Sequence, residues 1–163
     1  MIVLGIDPGI AIVGYGIIEY KSNSFKVLDY GTIQTKAKIP YPERLEHLYK
    51  ELDKLISSYD IDSISIEELF FNKNVKTAIE VAHARGVLVL CGQLNKKKIY
   101  EYTPLQVKQG VSGYGKADKK QVQEMVRLLL GLKSVPKPDD AADALAVAIC
   151  HCHSAKHREL FRA

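Results

Sequence analysis

The chain has few cysteines, no long apolar run and no stretch of biased composition, and each lack excludes a class of protein. Cys91, Cys150 and Cys152 are an odd count without a C-x-x-C pair, which rules out a disulfide scaffold and fits a reducing cytoplasm. No apolar stretch approaches the ~18 residues of a membrane span, so no membrane role is expected. The opening Met1-Ile2-Val3-Leu4-Gly5-Ile6-Asp7 has no basic region and soon meets an acid, so it reads as neither a signal nor a transit peptide. Repeats, low-complexity tracts and linkers are also lacking. What is there, 163 residues with 47% hydrophobic and 26% charged side chains, is the composition of an ordinary soluble protein, and a single domain over residues 1–163 is expected.

Charge is unevenly spread. Residues 1–70 hold 7 basic and 11 acidic side chains, residues 71–137 hold 13 and 4, and residues 138–163 hold 3 and 4. A basic middle fits a polyanionic partner, although a lysine-rich solvated surface has the same composition. The position of the acids decides between them.

Periodicity and turn residues predict the elements. Ile2–Asp7, Val13–Tyr20 and Phe25–Thr35 read as an antiparallel meander, with Lys21-Ser22-Asn23-Ser24 as a turn. Pro42 opens a helix with Leu45, Leu48, Leu52, Leu55 and Ile56 at helical spacing. Ile61–Glu67 reads as a strand, Asn74 to about Leu94 as an unusually apolar helix, and Ile99–Thr103 as a short strand. Gln106–Lys116 reads as a glycine-punctuated loop with room for a helical turn. Asp118–Leu132 and Pro138 to about His157 complete the chain as helices. The order βββ-α-β-α-β-α-α implies an α/β fold, a mixed sheet covered by helices.

Carboxylates gather at the ends of these elements. Asp7 ends the first strand, Glu67 and Glu68 end the fourth, and Asp139, Asp140 and Asp143 open the last helix. Asp139 fits the ordinary use of an acid in a helix's first turn. Asp140 and Asp143, three apart, face one way, and the alanines between them permit close approach to a sheet. If the first and fourth strands are neighbours, their ends and this helix start converge. Side-chain alternation puts Asp7 on the face of Gly5 and Glu67 on the face of Ser65 and Ser63, while Glu68 shares the bulkier face of Ile66 and Ile64. Converging carboxylates need a cation. All-oxygen donors favour Mg²⁺ or Mn²⁺ over zinc, and such a site beside a basic surface fits two-metal hydrolysis of a phosphodiester.

The ordered set Leu4-Gly5-Ile6-Asp7-Pro8-Gly9, Gly14-Tyr15-Gly16, Ile66-Glu67-Glu68-Leu69-Phe70, Ala84-Arg85-Gly86-Val87, Gln106-Val107-Lys108-Gln109 and Asp140-Ala141-Ala142-Asp143-Ala144-Leu145-Ala146 closely resembles the RuvC family of crossover junction endodeoxyribonucleases over essentially the whole chain. The resemblance implies an RNase H-like mixed five-stranded sheet flanked by helices. It implies a homodimer that resolves Holliday junctions, four-way DNA, by paired symmetric nicks with two Mg²⁺ ions per site, leaving 5′-phosphate and 3′-hydroxyl ends in recombination and repair. It also implies cooperation with the RuvA–RuvB branch-migration complex. By this resemblance the metal-binding acids are Asp7, Glu67, Asp140 and Asp143. Phe70 stacks on DNA at the crossover, and Lys108 and Lys119 contact phosphate. The chain departs from the family in the turn after Asp7, where Ile10-Ala11-Ile12-Val13 replaces the polar residues many members carry.

Rival motifs are weaker. Gly110 to Ala117 nearly matches a phosphate-binding loop, but Ala117 stands where Ser or Thr is needed and no buried strand precedes it. Cys150-His151-Cys152-His153 looks metallic, yet helical neighbours point apart and one helix cannot wrap a tetrahedral ion. His83 and Cys91, in the apolar helix, read as packing residues. Asp-x-Gly strand ends also open sugar kinases and chaperone ATPases, but those need two lobes. A non-catalytic RNase H-like nucleic-acid-binding module is the serious alternative; the chain keeps all four acids that such a module is free to lose.

Overall fold

The computed structural model describes residues 1–69, 75–154 and 162. Strands β1 (Ile2–Asp7), β2 (Ile12–Lys21) and β3 (Ser24–Gln34) form the expected meander. Its first hairpin residues after β2, Ser22 and Asn23, take left-handed φ values of 50° and 59°, the conformation a two-residue turn requires to match strand twist. Helix α1 (Tyr41–Ser58) leads to β4 (Ser63–Glu67), α2 (Val75–Leu94) to β5 (Lys98–Tyr102), and α3 (Pro104–Ser112), α4 (Lys119–Leu129) and α5 (Asp139–His153) follow. The sheet order is β3-β2-β1-β4-β5. β1, β2 and β3 are antiparallel, whereas β1, β4 and β5 run parallel. The first and fourth strands are therefore neighbours.

Helices cover both faces. On one side Leu4, Ile6, Ile17, Ile64 and Ile66 pack with Leu48, Leu52 and Ile56 of α1 and Ala84, Leu88 and Cys91 of α2. On the other, Val3, Ile18, Tyr100 and Tyr102 pack with Val107, Val122, Val126 and the nearly all-buried α5. Helix α5 lies very close to β1 and β2. A Cβ built on Gly5 would fall 2.1 Å from the Ala144 carbonyl, and one on Gly16 would fall 2.6 Å from Leu145 Cδ2. Small residues on both sides set the depth at which this helix sits.

One stretch differs from expectation. Most of the glycine-punctuated segment is helix α3, not loop. Thr103 and Gln106 form a capping box, with Gln106 N–H donating to Thr103 Oγ1 at 3.2 Å and Thr103 N–H to Gln106 Oε1 at 2.8 Å. Pro104 suits the first turn, and Gly113 ends the helix at φ 72°. Gly110 sits mid-helix because a Cβ there would lie 2.8 Å from Cys150 Sγ. It is a packing glycine, whereas its spacing from Gly113 and Gly115 reads in sequence as loop.

Candidate active site

Two strand ends form the floor. Asp7 closes β1 opposite Gly14 of β2. The parallel register pairs Ile6 with Ile66, so Asp7 and Glu67 emerge next to each other from strands ~4.8 Å apart. Alternation fixes their direction. Val3 faces α5, as do Gly5, against Ala144, and Ser63, 3.0 Å from His151 Nε2. Asp7 and Glu67 share that side by parity, and Glu68 falls out of phase with them. The Glu68 backbone N–H instead donates to Tyr102 O at 2.9 Å, extending the ladder by one residue.

The start of α5 forms one wall. A Cβ on Gly14 would lie 2.0 Å from the Asp140 carbonyl oxygen, so the helix's first turn rests on the strand beside Asp7. Asp140 is in that turn and Asp143 one turn on. The helix thus brings two more carboxylates to the two strand ends.

Their proximity is visible in their acidity. Burial, then the charges of Glu67, Asp143 and Asp140, push the Asp7 carboxyl up to about 8. Burial and Asp143 push Glu67 up to about 7, against the opposing pull of Lys119 and Lys108. Asp143 is raised by burial and by Asp139 and Asp140, again opposed by Lys119. Asp7, Glu67 and Asp143, buried and within reach of one another's charge, favour protonation or a bound cation.

Helices α3 and α4 supply the opposite wall. A cavity of about 260 Å³ is lined by Glu67, Val107, Lys108, Lys119, Val122 and Asp143. Lys119 Nζ donates to Asp143 Oδ2 at 2.8 Å and stands 3.8 Å from Asp139 Oδ2, which holds the ammonium above its ordinary pKa. Asp139 is half-exposed and pairs with Lys137 at 2.8 Å, which holds its carboxyl low; it does not cap α5. Among the described residues, no three His, Cys, Asp or Glu side chains are gathered closely enough to hold a metal ion as they stand. Phe70 lies outside the described residues.

The remaining sequence motifs resolve plainly. Cys150 is buried, with Sγ 3.3 Å from Gln106 O, and His153 Nδ1 lies 2.7 Å from Gly110 O; both are turned onto α3. Cys91 is core, but His83 is exposed and meets Tyr41 OH at 2.9 Å through Nδ1. The helical register of α2 turns His83 away from Ala84, Leu88 and Cys91, so the packing reading fails for it. Sequence reasoning missed two supports. His151 is fully buried and joins Ser63 to Tyr102 OH, 2.7 Å from Nδ1. Thr35 Oγ1 donates to Ile10 O at 2.5 Å and accepts from Arg44 Nε at 2.9 Å, so the residue just past β3 pins the apolar turn after Asp7 from outside. No short-range motif links Thr35 to Ile10.

A mixed sheet of this order with an acid-walled cleft defines an RNase H-like nuclease. The family described as "Crossover junction endodeoxyribonuclease RuvC" matches residues 3–151, and the chain belongs to it. It is 61% identical over 162 residues to the crossover junction endodeoxyribonuclease RuvC of Alkaliphilus metalliredigens, covering 99% of each chain. It is 66% identical over 156 residues to that of Clostridioides difficile, covering 96% and 92%. The Thermus thermophilus RuvC structure superimposes with a TM-score of 0.91 at 32% identity, covering 99% of this chain and 98% of that one. T. thermophilus RuvC in complex with Holliday junction substrate superimposes with a TM-score of 0.88 at 30% identity, covering 96% of each.

Proposed function

We propose that this nuclease binds four-way junction DNA and resolves it by paired, symmetric nicks, with Asp7, Glu67, Asp140 and Asp143 holding two Mg²⁺ ions (or Mn²⁺) per site. The observation that carries the reading is the convergence of the strand-end acids Asp7 and Glu67 with the start of α5, where burial and acidic neighbours hold both carboxyls well above their ordinary values. A cluster that resists ionisation alone is suited to a hard divalent cation, and every donor is oxygen. When bound, such ions supply a water nucleophile and charge for the leaving 3′ oxygen, giving 5′-phosphate and 3′-hydroxyl ends.

The chain's own residues do the rest. The β1 and β4 ends and the α5 start hold the four carboxylates in fixed relation. Lys108 and Lys119, on the facing wall, take the phosphate backbone. Phe70, three residues after Glu67 in the chain, stacks on a base at the crossover. The outer face of α2, with Ile79, Leu90 and Leu94 each more than half exposed, joins a second copy, which provides the second active site that paired nicks need. Work in recombination and repair alongside the RuvA–RuvB branch-migration complex, in the cytoplasm, completes the reading.

The test is cleavage of a synthetic four-way junction in Mg²⁺. Asp7→Asn, Glu67→Gln, Asp140→Asn and Asp143→Asn each keep side-chain shape, and each should bind the junction and leave it uncut. Full cleavage by any one removes that residue from the site.

A further inference from the structure

We propose that Lys119 is an internal counter-ion of the acidic cleft, and that DNA phosphate draws it off Asp143, linking DNA binding to divalent-cation binding through one side chain. The inference rests on the reading above, in which the four acids hold the ions and Lys119 reaches phosphate.

Lys119 is the first residue of α4. Asp118 caps that helix, accepting from Gln121 N–H at 2.8 Å while Gln121 Oε1 accepts from Asp118 N–H at 2.9 Å, so the point from which the lysine stem leaves is fixed. Its ammonium reaches across the cleft to Asp143 at 2.8 Å. Among the described residues no other cation forms an ion pair with any of the four acids. Asp139, the other carboxylate near it, has its own partner in Lys137.

A carboxylate oxygen that accepts from an ammonium is not free for a metal ion, and the ammonium's charge repels one. The pairing is nevertheless easy to exchange. The Lys119 side chain is 55% exposed, it is a hydrated point charge on a flexible stem, and exposed ion pairs contribute little net stability. A phosphate of bound DNA offers the ammonium an equivalent partner. Once Lys119 turns to it, Asp143 is released toward Asp7, Glu67 and Asp140, and the cluster's unbalanced negative charge rises where the ions are needed. Cation affinity is then low in DNA-free protein and high in the complex, and by reciprocity the cation strengthens DNA binding by the same factor. Hydrolytic capacity is assembled only where DNA already lies in the cleft.

The experiment titrates Mn²⁺ against the full chain, following free Mn²⁺ by electron paramagnetic resonance, with and without a saturating linear duplex. For DNA-free Lys119→Met, Mn²⁺ binding should be roughly tenfold tighter than wild type, within the span usual for coupled sites. Lys120→Met removes the same charge one residue away and should change the affinity by less than about twofold on the same scale. Lys119→Arg, which keeps the charge, should follow wild type, and melting curves check that each variant is folded. The gain in Mn²⁺ affinity on adding duplex should shrink in Lys119→Met. Unchanged or weaker Mn²⁺ binding in DNA-free Lys119→Met, or an undiminished gain with duplex, overturns the linkage alone. Wild-type Mn²⁺ binding that Asp7→Asn leaves unaltered overturns the metal-site reading as well.

Discussion

Gly14 stands opposite Asp7 in the β1–β2 ladder, and the space its missing side chain leaves is filled by the carbonyl of Asp140. One position thus spaces a strand-end acid from a helix-borne acid. Because the obstructing atom is backbone, Gly14→Ala must displace the start of α5. Overpacking of this kind costs ~1–3 kcal/mol, or roughly 2–4 °C of melting temperature per kcal/mol in a chain this size. Junction cleavage should fall further than the folded fraction does. Gly86, with nothing within 4 Å of a built Cβ, is the control, and Gly86→Ala should leave monomer stability equal or slightly higher. Wild-type melting and cleavage in Gly14→Ala would refute the spacing role.

The raised acids predict an inverted pH dependence for metal-free protein. Asp7, ordinarily near 3.8, titrates at about 8 in the fold, and Glu67 moves from 4.5 to about 7. Between the unfolded and folded values the native state holds protons that the unfolded chain has released, so stability falls as pH rises. In chelator, the melting temperature should drop from pH 5.5 to pH 8, and Asp7→Asn should raise it at pH 8. Added Mg²⁺ should stabilise more at pH 8 than at pH 5.5. A flat or rising profile in chelator would contradict the clustering of the four charges.

Glu67 and Glu68 separate by direction. Glu67 shares the α5 side with Ser65 and Ser63, whereas Glu68 is out of phase and its N–H is tied to Tyr102 O. Glu67→Gln should reduce cleavage by roughly a hundredfold or more, the scale of losing a group that stabilises developing charge. Glu68→Gln should retain most activity. The reverse outcome would mean that the chain turns at the β4 end in a way parity does not capture.

Helix α2 buries Ala84, Leu88 and Cys91 and leaves Ile79, Leu90 and Leu94 exposed. An apolar hollow of about 570 Å³ lies between it and α1, lined by Tyr41, Leu45, Ala82, Gly86, Val87 and Leu90. Leu90→Glu places a charge on this outer face without touching the core. By sedimentation it should be monomeric at micromolar concentration, with an unchanged melting profile per chain and uncoupled nicking. A wild-type protein that is strictly monomeric yet makes paired nicks would remove α2 from this role.

Much of this architecture was legible in the residues. The strands and the Asp7 and Glu67 ends follow from alternation and from turn residues, because each strand's pattern is set by one buried face. The neighbouring of β1 and β4 was a condition in the sequence, and only the sheet order meets it. Helix α3 was not legible as a whole, since Gly110 has the same letter whether it breaks a helix or lets one lie on Cys150. The His151–Ser63–Tyr102 link and the Thr35–Ile10 bond join residues far apart in the chain, and nothing local marks them. The pairing of Lys119 with Asp143 is of the same kind: sequence supplies both charges but not their 2.8 Å separation.

The most direct measurement maps both nicks on a synthetic four-way junction at nucleotide resolution. The wild-type protein in Mg²⁺ should cut two opposing strands at symmetric positions, leaving 5′-phosphates and 3′-hydroxyls that a ligase reseals, and Asp7→Asn should bind the same junction and leave every strand intact. Tight junction binding by the wild type with no cleavage in Mg²⁺ or Mn²⁺, or cuts scattered along one strand, would contradict the account.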